Sequence, residues 1–120
     1  MSITNFALLA LSLACAVSTL NAADAIDAAA RKVEVRLIEH RIEMPKEIAA
    51  GKTAFVVTNA GQKEHSFGID GGGVNSKLPG TLDAGESKTL QIDLKPGTYR
   101  VYCPVGEHAM RGMERNLIVK

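Results

Sequence analysis

The sequence predicts an all-β fold, a Greek-key β-sandwich, on three observations. Short runs rich in β-branched residues recur between turn signals from Val33 onward. About six or more such runs crowd into less than a hundred residues, the density expected of a sandwich. No part of this region carries helical periodicity.

Taken in order, Val33-Glu34-Val35-Arg36-Leu37-Ile38 alternates apolar and charged side chains, as a half-buried strand does. Ile42-x-Met44-Pro45 leads to a turn at Ala50-Gly51. Thr53–Thr58 and His65–Ile69 read as the next strands, and Asp70-Gly71-Gly72-Gly73 and Leu78-Pro79-Gly80 punctuate a longer loop. Lys88–Leu94 alternates well, and Lys95-Pro96-Gly97-Thr98 turns the chain into a strand from Tyr99 to Cys103. In that strand Val101 is apolar and Arg100 charged, so Tyr99, Val101 and Cys103 form the inward set. Cys103 therefore ends a core strand with its sulfur shielded from water.

Ahead of these strands, Phe6–Val17 is apolar apart from Ser12, and no charged side chain precedes Asp24. This is the apolar region of a secretory signal peptide over residues 1–22, with small-residue cleavage sites between residues 22 and 25. The first five residues lack Lys or Arg, so only the α-amino group supplies the usual positive charge. An uncleaved anchor is the competing reading. Ser12, Ser18 and Thr19 interrupt the run of about 18 apolar residues that a span needs, which favours cleavage and no stable membrane insertion of the mature chain. Residues 23–32 form an alanine-rich spacer or short helix, acidic at its start and basic at Arg31-Lys32. Residues 33–120 form one domain, expected to be monomeric.

Cleavage would remove Cys15 and leave Cys103 as the only cysteine of an exported protein. A lone thiol in an oxidising compartment has no internal disulfide partner and becomes either a liability or a metal ligand. The formal net charge is +1, with no basic block interleaved with aromatics, which gives no support for nucleic acid as a partner.

The stretch Cys103-Pro104-Val105-Gly106-Glu107-His108-Ala109-Met110-Arg111-Gly112-Met113 places a thiolate, an imidazole and a thioether at C-x4-H-x4-M spacing. A second imidazole, His65, lies upstream in Gly61-Gln62-Lys63-Glu64-His65-Ser66-Phe67. One Cys, two His and a weakly bound Met make a blue-copper electron-transfer site, because the sulfur donors suit Cu(I) and the imidazoles suit either oxidation state. Alone, Cys103 would read as a buried inert thiol and His65 as a loop histidine. The spacing shifts Cys103 and His108 to ligands. Met110 and Met113 compete for the fourth place. His40, between Glu39 and Arg41, reads as a solvated strand-end residue.

The C-terminal stretch resembles the cupredoxin family of type 1 copper proteins. Pro96-Gly97-Thr98-Tyr99-Arg100-Val101-Tyr102-Cys103 is similar to the family's last long strand before its copper cysteine. Gly112-Met113 and Leu117-Ile118-Val119 are similar to its axial methionine and closing strand, and Phe55–Gly61 leading to His65 to its first-histidine strand. The resemblance covers about Val33 to Lys120 and implies His65, Cys103, His108 and Met113 as the ligands of one copper ion. It implies an electron carrier rather than an enzyme, with His108 as the exit for electrons and Pro104, Val105, Ala109 and Met110 as an apolar docking patch for a redox partner. Ser66 stands where the family often has an asparagine linked to the cysteine loop, and Arg115 where it often has glycine. A copper chaperone or sequestering protein is the alternative. An oxidase or nitrite reductase lacks support, since three histidines are too few for a second copper centre.

Overall fold

The computed structural model describes residues 26–120, so the proposed leader lies outside the described residues. Two sheets face each other. The first runs in the order β2 (Arg41–Glu43), β1 (Arg31–Ile38), β4 (Gly51–Asn59) and β7 (Ser87–Leu94). The second runs β3 (Glu47–Ile48), β9 (Glu114–Val119), β8 (Gly97–Tyr102), β5 (Gly68–Gly71) and β6 (Val74–Lys77). β1 pairs in parallel with β4, and β3 in parallel with β9; the other pairings are antiparallel. The chain crosses from β4 to the β5–β6 hairpin, back to β7, and over again to β8, which gives the Greek-key sandwich.

The alternation read from the sequence decides which faces meet. Val33, Val35 and Leu37 of β1 are buried, while Glu34 and Arg36 between them are exposed. Phe55 and Val57 of β4 and Leu90 of β7 extend that face. Ile69, Tyr99, Val101, Leu117 and Val119 cover it from the other sheet. Phe67, on the connection into β5, fills the space between, its ring 5.4 Å from that of Phe55. Each such side chain stabilises the fold by roughly 1.5–3 kcal/mol relative to exposure. Tyr99 also donates its hydroxyl to the Lys95 carbonyl at 2.7 Å, so the phenol stays satisfied inside the core.

Four local expectations need correction. Of the segment 23–32 read as a spacer or short helix, residues 23–25 lie outside the described residues and the described part is not helical: residues 28–30 form a turn in which Asp27 accepts the Ala29 N–H at 2.9 Å, and Arg31 and Lys32 already belong to β1. His65–Phe67 is not a strand; only Gly68 onward pairs, and His65 is held by a lone bridge to Leu82. The longer loop after Ile69 contains a tight hairpin. Gly72 (φ 55°) and Gly73 (φ 81°) both adopt left-handed conformations, the geometry of a two-residue turn that matches strand twist. β2 and β3 are also paired strands, which their short length left unmarked in the sequence.

The connection between β4 and β5 is organised by one buried side chain. Asn59 donates its amide N–H groups to the Lys63 carbonyl (2.7 Å) and the Leu82 carbonyl (2.9 Å). Its Oδ1 accepts the Gly61 N–H at 2.9 Å. Replacing Asn59 with Ala would leave the buried Gly61 N–H without its acceptor and take one of its two donors from the Leu82 carbonyl. Asn59→Ala is expected to destabilise the copper-free protein by about 2–3 kcal/mol in urea titration, with its slope unchanged. A loss below about 0.5 kcal/mol would mean the loop holds itself together without this side chain.

Candidate metal centre

The site forms where β8 runs out. Cys103 follows the last residue of β8 with its side chain on the inward face shared by Tyr99 and Val101, and it is completely buried. Beyond it the chain loops out and returns to β9. The Cys103 N–H donates to the Met113 carbonyl at 2.9 Å, extending the β8–β9 ladder past Tyr102 and Glu114. Inside this closed loop the Met113 N–H donates to the His108 carbonyl at 3.0 Å. A single 3₁₀ turn, Ala109–Arg111, lies between, and Gly112 (φ 116°) ends it. Gly112 is required twice over: its φ disfavours any side chain, and a Cβ there would meet the His40 carbonyl at 2.8 Å. The backbone thus fixes Cys103, His108 and Met113 relative to one another. Met113 is fully buried, whereas Met110 is 86% exposed.

His65 arrives from the opposite side. Its backbone N–H donates to the Leu82 carbonyl at 3.1 Å and its carbonyl accepts from Leu82 at 2.7 Å. The ring is buried, with Nδ1 turned toward the cysteine loop. Nδ1 of His65 lies 3.2 Å from Nδ1 of His108. The Cys103 sulfur is 3.9 Å from the first nitrogen and 3.7 Å from the second. These three atoms form a nearly regular triangle, and the point equidistant from them lies about 2.1 Å from each, close to the length of a metal–imidazole bond. Among the described residues this is the group of His, Cys, Asp and Glu side chains able to hold an ion.

Burial holds the His108 imidazole below its ordinary pKa, and the nearby His65, His40, Lys63 and Arg111 push in the same direction. A neutral ring keeps a lone pair free for a metal. One cysteine sulfur and two imidazole nitrogens, with Cys103 and His65 fully buried, match one copper ion of the type 1 kind better than the oxygen-rich sets that hold Mg or Ca. A single copper ion is the cofactor that this donor set fits.

The surroundings differ from the sequence reading in three places. His40 is not a solvated strand-end residue. It stands half-buried in the β1–β2 turn (φ 60°), and its ring meets that of His108 edge-on with centroids 5.5 Å apart. Its Nε2 is buried with no hydrogen-bond partner among the described residues. The β1–β2 pairing brings this turn beneath the cysteine loop, a contact that sequence distance conceals. Ser66 donates to the Gly80 carbonyl at 2.9 Å and so braces the loop before Leu82 rather than the cysteine loop. Arg115 stands within β9, where its guanidinium donates to the carbonyls of Ile42 and Met44, each at 3.1 Å. It clamps β9 to β2 and the residue that follows it without disturbing the turn at Gly112.

Glu39 is the residue that sequence reasoning missed. It reaches from the β1–β2 turn to the far nitrogen of His65, with Oε1 3.0 Å from Nε2. The same oxygen accepts the backbone N–H groups of Gln62 and Lys63, each at 2.7 Å. These bonds, led by that from Lys63, hold its carboxyl down at about pKa 2, against desolvation that acts the other way. An acidic residue next to a histidine in a β-turn offers no sequence signal for this role.

Comparison with known proteins places the fold. A family model described as a cupredoxin-like domain matches residues 6–119. Among solved structures, a dithionite-reduced auracyanin from the photosynthetic bacterium Roseiflexus castenholzii superposes with a TM-score of 0.62 at 19% identity, over 74% of this chain and 96% of that one. Auracyanin B gives 0.65 at 19% identity, over 82% and 95%. A multicopper oxidase gives 0.57 at 20% identity, where 75% of this chain covers 42% of the larger protein. No curated protein sequence matches significantly. The solved structures agree in fold, and the family model spans nearly the whole sequence: this chain belongs to the cupredoxin family.

Proposed function

We propose that this chain is an exported mononuclear type 1 copper protein that carries single electrons between redox partners and is not itself an enzyme. The observation that carries the reading is the triangle of His65 Nδ1, His108 Nδ1 and Cys103 Sγ, assembled by the fold itself. His65, Cys103 and His108 would hold the metal, and Met113, buried and tied to the cysteine loop by backbone hydrogen bonds, would supply a weak fourth donor. Bound copper supplies one-electron Cu(I)/Cu(II) chemistry. The protein's part is to keep its donors in place and water out, which the continuous β8–β9 ladder and the burial of His65, Cys103 and Met113 do. A rigid donor set favours electron transfer over storage, because a copper chaperone needs an open site from which the ion is handed on. Export agrees with the apolar leader at residues 1–22 and with Cys103 as the one cysteine that would remain. No helix among the described residues is long and apolar enough to cross a membrane.

His108 is the ligand nearest the surface. Around it lie Pro104, Val105 and Ala109, all half-buried, and the projecting side chain of Met110. A small apolar patch allows brief docking, which suits a carrier that must release its partner quickly.

Three measurements follow from this reading. Cu(II) added to the mature protein is expected to produce an intense visible absorption, and Cys103→Ser to abolish it, because the band requires a copper–thiolate bond. A Ser variant that stays blue removes Cys103 from the site. Met113→Leu is expected to keep the colour and raise the reduction potential, since removing even a weak donor costs the more highly charged Cu(II) more than Cu(I) while water stays excluded. Met110→Leu is the control and should leave the potential nearly unchanged; the reverse pattern would exchange the two assignments. Met110→Glu should leave the spectrum intact and slow both self-exchange and electron transfer to the partner several-fold, because the new carboxylate must be desolvated on docking. Unchanged rates would place the docking surface elsewhere.

A further inference from the structure

Glu39 makes more contacts with the proposed site than its place in a turn requires. Its Oε1 accepts three N–H groups at once: those of Gln62 and Lys63 at 2.7 Å and that of the His65 ring at 3.0 Å. An ionised carboxylate only accepts hydrogen bonds, so the ring nitrogen facing it, Nε2, carries the proton. The other nitrogen, Nδ1, faces Cys103 and His108 with its lone pair. The chain leaves room for this arrangement. A Cβ on Gly61 would lie 2.8 Å from the Glu39 carboxyl carbon and closer still to Oε1, yet Gly61 does not adopt a positive φ. Glycine at position 61 therefore serves the carboxylate and not the backbone.

We propose that Glu39 is a positioning residue for the metal centre: its carboxylate fixes the Nε2–H tautomer and the ring orientation of His65, and makes that imidazole a stronger donor. The effect on the metal rests on the copper reading given above; the effect on the tautomer does not. A carboxylate behind a ligating histidine raises the basicity of the ring, and removing such a partner typically costs 10–100-fold in metal affinity. A more basic imidazole favours Cu(II) over Cu(I), so the same carboxylate lowers the reduction potential.

The test uses four proteins: wild type, Glu39→Gln, Glu39→Ala and Gly61→Ala. Glu39→Gln keeps an oxygen for the three N–H groups and removes the charge. Glu39→Ala removes both. Gly61→Ala leaves Glu39 in the sequence but expels its carboxylate from the loop. In the copper-free proteins, two-bond ¹H–¹⁵N correlations of labelled histidine report the tautomer of His65. Wild type and Glu39→Gln are expected to hold the Nε2–H form, while Glu39→Ala and Gly61→Ala lose that preference. Cu(II) affinity should fall about 10–100-fold in the two Ala variants and by less in Glu39→Gln, and the reduction potential should rise in all three. A wild-type His65 protonated on Nδ1 would overturn the proposal. So would Ala variants with unchanged tautomer, affinity and potential. If wild type binds no copper, the copper reading fails, and the tautomer measurement still decides what Glu39 does to His65.

Discussion

The pairing of β8 with β9 is the constraint on which the centre depends. Its register, Tyr102 opposite Glu114, continues for one more hydrogen bond from Cys103 to Met113, and that bond closes the loop carrying both sulfurs and His108. The same register sets the direction of every side chain on the strand. A slip of one residue would turn Cys103 outward and bury Arg100 and Tyr102 in its place. Both outcomes are costly, so the core that stabilises the sandwich also aims the thiol. Arg100 stacks over the Tyr102 ring at 4.1 Å and pairs with Glu114, so the outward face of the ladder is tied down as well.

His65 depends on a different set of contacts. It lies outside the regular ladders, where a single bridge to Leu82 replaces a strand. Asn59 below it and Glu39 behind it supply the rigidity that a sheet would have given. The division suits a centre whose donors come from both halves of the sandwich. One half is fixed by backbone pairing, the other by the hydrogen bonds of the buried Asn59 and the half-buried Glu39. Such a network is stiff only when complete, because each lost partner leaves a desolvated group behind.

Much of this was legible in the sequence, for physical reasons that differ by residue. The inward direction of Cys103 followed from period-two alternation in Tyr99–Cys103, and the C-x4-H-x4-M spacing brought His108 and Met113 to the same loop because eleven residues cannot travel far. Met110 is exposed and Met113 buried, a difference that the spacing alone does not set. What was hidden came from distant pairings. Glu39 and His40 reach the site only because β1 turns into β2 beneath the cysteine loop, and neither their spacing nor their neighbours announce it. The strand expected from His65 begins only at Gly68, because the backbone from His65 to Phe67 is still crossing between the sheets although Phe67 looks like a strand residue. The β5–β6 hairpin was masked by Val74-Asn75-Ser76-Lys77, which has one β-branched residue and no alternation of the usual kind.

On the proposed reading, the fold alone holds two imidazoles and one cysteine sulfur at copper-binding positions that barely change with oxidation state. X-ray absorption at the copper edge, on the loaded wild-type protein in both oxidation states, tests it most directly. One sulfur at a short distance and two nitrogens at about 2.0 Å are expected in the oxidised protein, with the same ligands retained and only small lengthening on reduction. A copper ion without a short sulfur contact, or one that loses an imidazole when reduced, would contradict it.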